Sequence, residues 1–380
     1  MWAKLLAVFF TLALFALPCH AEANSTDTVD ESFGEMMESI PDDIAKLLPD
    51  SFFEGGIDSA AQGLDQVLDT GFFTRLIGGL LSDGLKAAIP TLLSLFSVLL
   101  VSALLSTFKN TLRSEALSGA VSLAVSTVMT AILVRCAAAH IEAATGFLSR
   151  LSELCLAMLP ILGAVLAMGG SGGAAVATHG GFLMLLGVLE AIVGEAFGGI
   201  VGISLALSAA NVFSSKFRLG AVARAIRRCF GVFFGAVMSL ISFILSIKIG
   251  IAAAGDSVAM RGAKMFASNA IPLVGSAIGD SFKTLATALT YMKSVSGAVG
   301  IILILLLALP TFLSVWLYRC GLVLLSGAAE MLDCDREKEL LSGVVSVYGY
   351  MLAVIAISAV VFILMLTLFT KSTLAFGGGL

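Results

Sequence analysis

Predominantly apolar runs of eighteen or more residues recur along most of this 380-residue chain. About twenty apolar residues in a helix cross the hydrocarbon core of a bilayer, whereas the strands of a membrane barrel show short alternating segments. Charged residues make up 13% of the chain, well below the roughly 25% of a soluble domain. The runs therefore predict an all-α fold: a polytopic helical membrane protein with about 7–8 transmembrane helices.

Eight segments have the length and hydropathy expected of a crossing helix. Cytoplasmic loops carry an excess of lysine and arginine, so the basic loop 214–228 is predicted to lie inside the cell. With that orientation, both ends of the mature chain lie outside the cytoplasm. The predicted spans are 87–107, 116–138, 151–169, 175–194, 196–213, 229–254, 297–318 and 344–369.

The N-terminal region divides into two parts. Residues 1–21 combine a lysine, an apolar core and the small residue Ala21, which predicts a secretory signal peptide; an uncleaved anchor helix is the alternative. Residues 22–86 hold fourteen acidic residues between Glu22 and Asp83, more than half of those in the chain. We interpret them as an acidic extracytoplasmic arm, partly disordered, with short amphipathic helices.

The remainder is predicted to form three parts: a first transmembrane helix group at 87–254, a helical hairpin at 255–296, and a C-terminal transmembrane helix pair at 297–380. The segment 255–296 is predicted outside, yet its basic residues outnumber its acidic ones. Either a span is miscounted, most readily in the 175–213 block, or this segment is not freely solvated. Its apolar residues recur at helical spacing, which favours an amphipathic or re-entrant hairpin.

Two Pro-x-x-Gly sequences interrupt apolar helical patterns. Proline removes a backbone donor, and unpaired backbone at membrane depth is tolerated only inside protein or beside a wet cavity. Comparable breaks in separated halves of a chain point to a transport or pore site, although ordinary helix kinks are the alternative. The candidate helix-break or conduit residues are Pro160, Gly163, Asn269, Pro272, Gly275 and Asp280.

Four charged residues, Glu153, Glu190, Glu195 and Lys248, fall in or beside predicted spans. Unpaired charge at membrane depth is unfavourable, so such residues are candidates for an ion path. The spacing of Glu190 and Glu195 instead suggests that they flank a tight external turn, and Lys248 is close enough to the end of its span to snorkel.

The sequence offers no pattern typical of an enzyme. Its cysteines are scattered and its three histidines supply no metal-ligand spacing, with His140 and His179 read as isolated structural residues. The glycine-rich GGSGG lacks the Lys-Ser/Thr of a phosphate loop. We therefore predict no catalytic residue, no cofactor, no metal and no small-molecule ligand. The basic run 216–228 is interpreted as an anchor to anionic lipid of the bilayer, with no nucleic acid bound.

The stretch AKMFASNAIPLVGSAIGDSF at 263–282, the signal peptide followed by an acidic arm, and the order of spans carry a family resemblance. The chain resembles the stage III sporulation protein AE family of endospore-forming bacteria. The residues that match the family pattern are Ala263, Lys264, Asn269, Ile271, Pro272, Val274 and Gly275.

The resemblance implies a multi-pass protein of the mother-cell membrane around the forespore. It implies a subunit of a secretion-like channel complex between mother cell and forespore, acting as membrane platform or permease-like conduit. The implied partners are other membrane subunits of that complex and its cytoplasmic ATPase. The alternative is an independent secondary transporter with a midplane site formed by the Pro/Gly-broken helices.

Overall fold

The computed structural model describes residues 26–38, 40, 42–49, 52–53, 56–109, 115–192, 196–213, 219–270 and 275–371. These residues form helices and turns, with no strand among them. The helices are α1 (Thr26–Glu38), α2 (Asp42–Ala45), α3 (Ile57–Leu68), α4 (Thr70–Lys109), α5 (Glu115–Met168), α6 (Gly172–Ile192), α7 (Gly198–Phe213), α8 (Leu219–Ala270), α9 (Gly275–Met331) and α10 (Asp335–Lys371).

The predicted fold class is confirmed: the described chain is an all-α bundle built from long apolar helices. Within it, six helices are long and apolar enough to cross a membrane, namely α4, α5, α6, α8, α9 and α10. The predicted number of seven to eight was therefore approximate.

The first reason why the structure has fewer spans than predicted is the length of α5. The predicted spans 116–138 and 151–169 are parts of this single 54-residue helix. The residues between them, although they include charges such as Glu142 and Arg150, are mostly good helix formers and contain no proline. The chain leaves the helix only after Met168, at a turn in which Gly170 adopts a positive φ of 72°.

The second reason lies in α6 and α7, which follow one another in the same direction. Phe182 of α6 packs on Phe362, Phe197 just before α7 packs on Tyr350, and Ser208 of α7 lies beside Gly343. Both α6 and α7 therefore run antiparallel to α10. The two helices are consecutive pieces of one path across the bundle, rather than two spans of opposite direction.

Close helix contacts depend on glycines. A Cβ added to Gly181 would meet the side chain of Leu245 on α8, and one added to Gly321 would meet Leu92 on α4. A Cβ on Gly300 of α9 would meet Met158 on α5. Small residues of this kind let membrane helices approach closely, because packing rather than hydrophobic exclusion drives their association in lipid.

The described part of the N-terminal arm packs on the bundle. Apolar side chains of α1, including Phe33, Met36 and Met37, are buried, and α1 lies against α5. The helices α2 and α3 lie against α9. Residues 1–21 lie outside the described residues.

The predicted hairpin 255–296 is made of the end of α8 and the beginning of α9, with its tip at 271–274 outside the described residues. Lys293, one of the basic residues that conflict with an outside loop, is buried, and its Nζ lies 5.5 Å from the centre of the Phe369 ring. At this position the segment is covered by protein rather than freely solvated.

Candidate functional site: a polar layer around Tyr348–Tyr350

Three of the four tyrosines of the chain meet at one level of the bundle: Tyr318 on α9, and Tyr348 and Tyr350 on α10. All three are buried. Residues two apart on a helix point to different sides, so the two tyrosines of α10 face different neighbours. Tyr348 faces α5 and Tyr350 faces α7 and α8.

The Tyr348 side centres on His140 of α5, a buried histidine that is 7% exposed. Its Nδ1 lies 2.9 Å from the carbonyl oxygen of Cys136 and 3.1 Å from the hydroxyl of Tyr348. Its Nε2 lies 3.5 Å from Oγ of Ser314 on α9. The Cys136 Sγ lies 3.5 Å from the same Tyr348 hydroxyl. The imidazole therefore joins three helices through its two nitrogens.

The tautomer of His140 can be inferred from the capacities of these groups. The carbonyl oxygen of Cys136 can only accept, so its 2.9 Å contact requires a proton on Nδ1. In the neutral ring Nε2 is then an acceptor, and the Ser314 hydroxyl is the group able to donate to it. Every nitrogen of the ring thus has an assigned partner.

Tyr318 ties a fourth helix to this layer. Its ring meets the His140 ring edge to face, with centroids 4.2 Å apart, and its hydroxyl donates to the carbonyl oxygen of Ala87 on α4 at 3.0 Å. Hydrogen-bonded polar groups in a low-dielectric interior fix the relative position of the elements that carry them. The layer therefore sets the register of α4, α5, α9 and α10.

The Tyr350 side is different. The Tyr350 ring packs on Phe197 at 6.0 Å and on Phe230 of α8 at 6.4 Å, yet its hydroxyl, although buried, has no hydrogen-bond partner among the described residues. Phe197 immediately precedes α7, so the beginning of that helix lies at the level of Tyr350.

The candidate helix-break residues are distributed over two helix ends and one helix interior. Pro160 is exposed and Gly163 half-buried, and α5 continues through both. Asn269 is the penultimate residue of α8, Gly275 begins α9 and Asp280 follows in the second turn. Pro272 lies outside the described residues. A conduit role for these residues stays a prediction.

Three of the four predicted intramembrane charges lie among the described residues, and all three are exposed. Glu153 is exposed and lines, with Arg150 and Ile44, a small cleft between the arm and α5. Glu190 is exposed two residues before the end of α6, and Lys248 is exposed on α8. Glu195 lies outside the described residues. An ion path through these side chains also stays a prediction.

Sequence reasoning missed the polar layer. It treated His140 as isolated, whereas the structure gives the imidazole partners on three helices. A partial signal was present: Cys136 and His140 are four residues apart on one helix face, and tyrosines at 318, 348 and 350 account for most of that residue type.

The chemistry open to this layer is structural or proton-relaying rather than nucleophilic. Although Cys136 and His140 resemble a thiol and base, Sγ lies 3.8 Å from an Nδ1 that already donates to a carbonyl. Reactive thiols sit in partly exposed, electropositive surroundings, and the nearest groups here are neutral side chains. Among the described residues no group of three His, Cys, Asp or Glu side chains is placed to hold a metal ion.

Comparison with known proteins shows which family the chain resembles. A sequence model of the stage III sporulation protein AE family matches residues 55–373. The chain is 24% identical to "Stage III sporulation protein AE" of Bacillus subtilis (strain 168) over 247 residues, an alignment that covers 63% of this chain and 60% of that protein. No solved structure matches it. Because the family match spans most of the chain and its helices are apolar enough to cross a membrane, the protein belongs to the stage III sporulation protein AE family.

Proposed function

We propose that this protein is an integral membrane subunit of the sporulation channel complex that links mother cell and forespore. The observation that carries the proposal is the family match over residues 55–373, which extends across all six candidate membrane-spanning helices. A chain with this many crossing helices has the form of a membrane platform or permease-like conduit. The proposed location is the mother-cell membrane around the forespore, with the N-terminal arm extracytoplasmic.

The proposed partners are other membrane subunits of the complex and its cytoplasmic ATPase. The distribution of basic residues supports the orientation. The last residue of α7, Phe213, and the turn 332–334 lie at the same end of the bundle, since α7 and α9 both run antiparallel to α10. Lysine and arginine are frequent beside both positions, as expected for a cytoplasmic face.

A second function is favoured by one specific observation, the buried Tyr350 hydroxyl that has no partner among the described residues. Small-molecule sites combine an apolar lining with a few such polar groups between helices, and secondary transporters bind their substrates near the middle of the bilayer. An independent secondary transporter is therefore the alternative proposal.

Sporulation and co-purification separate the two proposals. In an endospore-forming host that carries this chain as its sole copy, deletion is expected to block spore formation after engulfment, counted as loss of heat-resistant spores. A tagged full-length chain, solubilised from sporulating cells, is expected to co-purify with other membrane proteins and an ATPase. Normal sporulation of the deletion strain would contradict the first proposal, and solute uptake by liposomes holding this chain alone would support the second.

The second Pro-x-x-Gly sequence provides a site-directed test of the conduit. Pro272→Ala combined with Gly275→Leu is expected to lower heat-resistant spore counts without removing the protein from the membrane. Pro160→Ala is the matched control, because α5 is helical on both sides of that proline. If complex assembly and sporulation are intact in the double variant, this break has no role in the function.

A further inference from the structure

Arg227 is a buried cation on the face of α8 that packs into the bundle. Its side chain is 5% exposed, whereas the neighbouring Arg224 and Arg228 are exposed. Four residues further along, Gly231 approaches Tyr350 of α10 so closely that an added Cβ would lie 3.8 Å from the ring. Residues four apart share a helix face, so Arg227 also points toward α10.

Neither terminal nitrogen of Arg227 has a hydrogen-bond partner within the described part of the chain. A guanidinium stays protonated in proteins, so the side chain cannot avoid the cost of burial by losing its charge. Burial of an unpaired charge is strongly unfavourable, and buried charges are in general paired. The position of Arg227 therefore calls for an anion, and the described part of the chain does not supply one.

Two further hydroxyls belong to the faces of α7 and α10 that meet at the seam between α7, α8 and α10. Ser208 of α7 lies against Gly343, so Ser204, one turn earlier, lies toward Tyr350. The hydroxyls of Ser204 and Tyr350 are buried and, like the Arg227 nitrogens, have no described partner. Each of the three groups can donate a hydrogen bond.

The buried carboxylate of α10 is already engaged elsewhere. Glu337 lies in the first turn of that helix, and its Oε1 accepts a hydrogen bond from Ser102 on α4 at 2.9 Å. Its carboxylate thus contacts α4, and the terminal nitrogens of Arg227 have no hydrogen bond to it. The seam thus contains two hydroxyl donors without a described partner and the positive charge of Arg227.

We propose that this seam binds a phosphate group, with Arg227 as its counter-ion and the Ser204 and Tyr350 hydroxyls as additional donors. A guanidinium matches the planar geometry of phosphate oxygens through paired hydrogen bonds. The surroundings favour the headgroup of an anionic phospholipid as the source. The same stretch of α8 exposes apolar side chains, Val222, Val232 and Phe233, on its outer side, and basic pockets between membrane helices bind such headgroups.

Thermal unfolding of the full-length chain tests the site. The protein is purified in an uncharged detergent, stripped of lipid, and titrated with phosphatidylglycerol, phosphatidylcholine or inorganic phosphate. Because a ligand that binds only the folded state stabilises it, phosphatidylglycerol is expected to raise Tm by several degrees, with a much smaller rise from phosphatidylcholine. A rise with inorganic phosphate of the same size would assign the site to a free anion and still support phosphate binding.

Substitutions locate the effect. Arg227→Gln is expected to weaken phosphatidylglycerol binding about tenfold or more, whereas the matched control Arg224→Gln removes an exposed charge and is expected to change it little. Without anionic lipid, Arg227→Met is expected to unfold at a Tm equal to or above that of the natural chain, and the order reverses when phosphatidylglycerol is added.

Three results would overturn the proposal: no rise in Tm with any phosphate-bearing probe, equal weakening by Arg227→Gln and Arg224→Gln, or a lower Tm of Arg227→Met under both conditions. If Arg227→Gln does not yield folded protein, Arg227→Lys replaces it. Lysine keeps the charge but loses the paired geometry, so binding is expected to weaken about threefold. Unchanged binding of that variant would exclude the assigned contact.

Discussion

The two sides of α10 differ in whether their buried polar groups are hydrogen-bonded. On one side Tyr348 joins Cys136 and His140 in a network whose members all have partners. On the other, the Tyr350 hydroxyl and the two terminal nitrogens of Arg227 have none among the described residues. Satisfied networks rigidify an interior, and unsatisfied groups in a native fold call for an explanation. We infer that the Tyr348 side stabilises the packing of the helices, whereas the Tyr350 side carries the proposed phosphate site.

The largest expected effect is loss of the imidazole at the centre of the satisfied side. His140→Ala leaves a cavity and removes the partner of the Tyr348 and Ser314 hydroxyls, so it is expected to destabilise the protein by about 3 kcal/mol. Unfolding of the purified chain in detergent measures this change. The control is His179→Ala at an exposed position of α6, expected to change stability by less than about 0.5 kcal/mol. Equal losses of stability from the two substitutions would show that the contacts of His140 do not stabilise the bundle.

The sequence allowed the membrane class, most helix locations and the basic end of the bundle to be predicted, because hydropathy and charge are local properties. The polar layer depends on contacts between residues far apart in the chain: His140 meets Ser314 and Tyr348 across separations of 174 and 208 residues. Periodicity within one helix does not report such contacts.

The direction of α7 was missed for the same reason. Two apolar segments joined by a short glycine-rich stretch are compatible with a hairpin or with an interrupted helix. Only the pairing of Phe182 with Phe362 and of Phe197 with Tyr350 distinguishes them. In α5, by contrast, residues with charged side chains, such as Glu142 and Arg150, separate the predicted spans 116–138 and 151–169, yet the chain is helical throughout.

The sharpest test of the comparison uses the same substitution on both sides of α10. Tyr348→Phe removes a hydroxyl that lies 3.1 Å from Nδ1 of His140 and is expected to cost about 1.5 kcal/mol. Tyr350→Phe removes a hydroxyl without a described partner and is expected to be neutral or slightly stabilising in lipid-free detergent. The difference between the two unfolding free energies is the measurement. A larger loss from Tyr350→Phe would reverse the assignment of the two sides.

An interhelical contact remote from both sides provides a reference. Asp256 of α8 accepts a hydrogen bond at 2.9 Å from the backbone N–H of Ala174 in the first turn of α6, where a carboxylate also meets the positive end of the helix dipole. Asp256→Ala is expected to cost about 1 kcal/mol. Asp83→Ala, at an exposed ion pair with Lys86, is the control and is expected to be near neutral. If Asp256→Ala is neutral, a single polar contact contributes too little to the unfolding free energy for the two tyrosine substitutions to be compared.

The smallest expected effect tests whether the network is satisfied at its edge. Ser314 Oγ lies 3.5 Å from Nε2 of His140, the upper limit of a hydrogen bond, so Ser314→Ala is expected to cost only about 0.5 kcal/mol. Ser358, on α10, is buried with no described partner for its hydroxyl, and Ser358→Ala is expected to be neutral or stabilising. Both substitutions remove the same atom, from a half-buried serine at 314 and a buried one at 358, so the hydrogen-bond partner predicts the opposite order of the two losses from that predicted by burial alone. If Ser358→Ala is the more damaging, the Ser358 hydroxyl is hydrogen-bonded in the native protein, and the rule that separates the two sides of α10 does not hold along the rest of that helix.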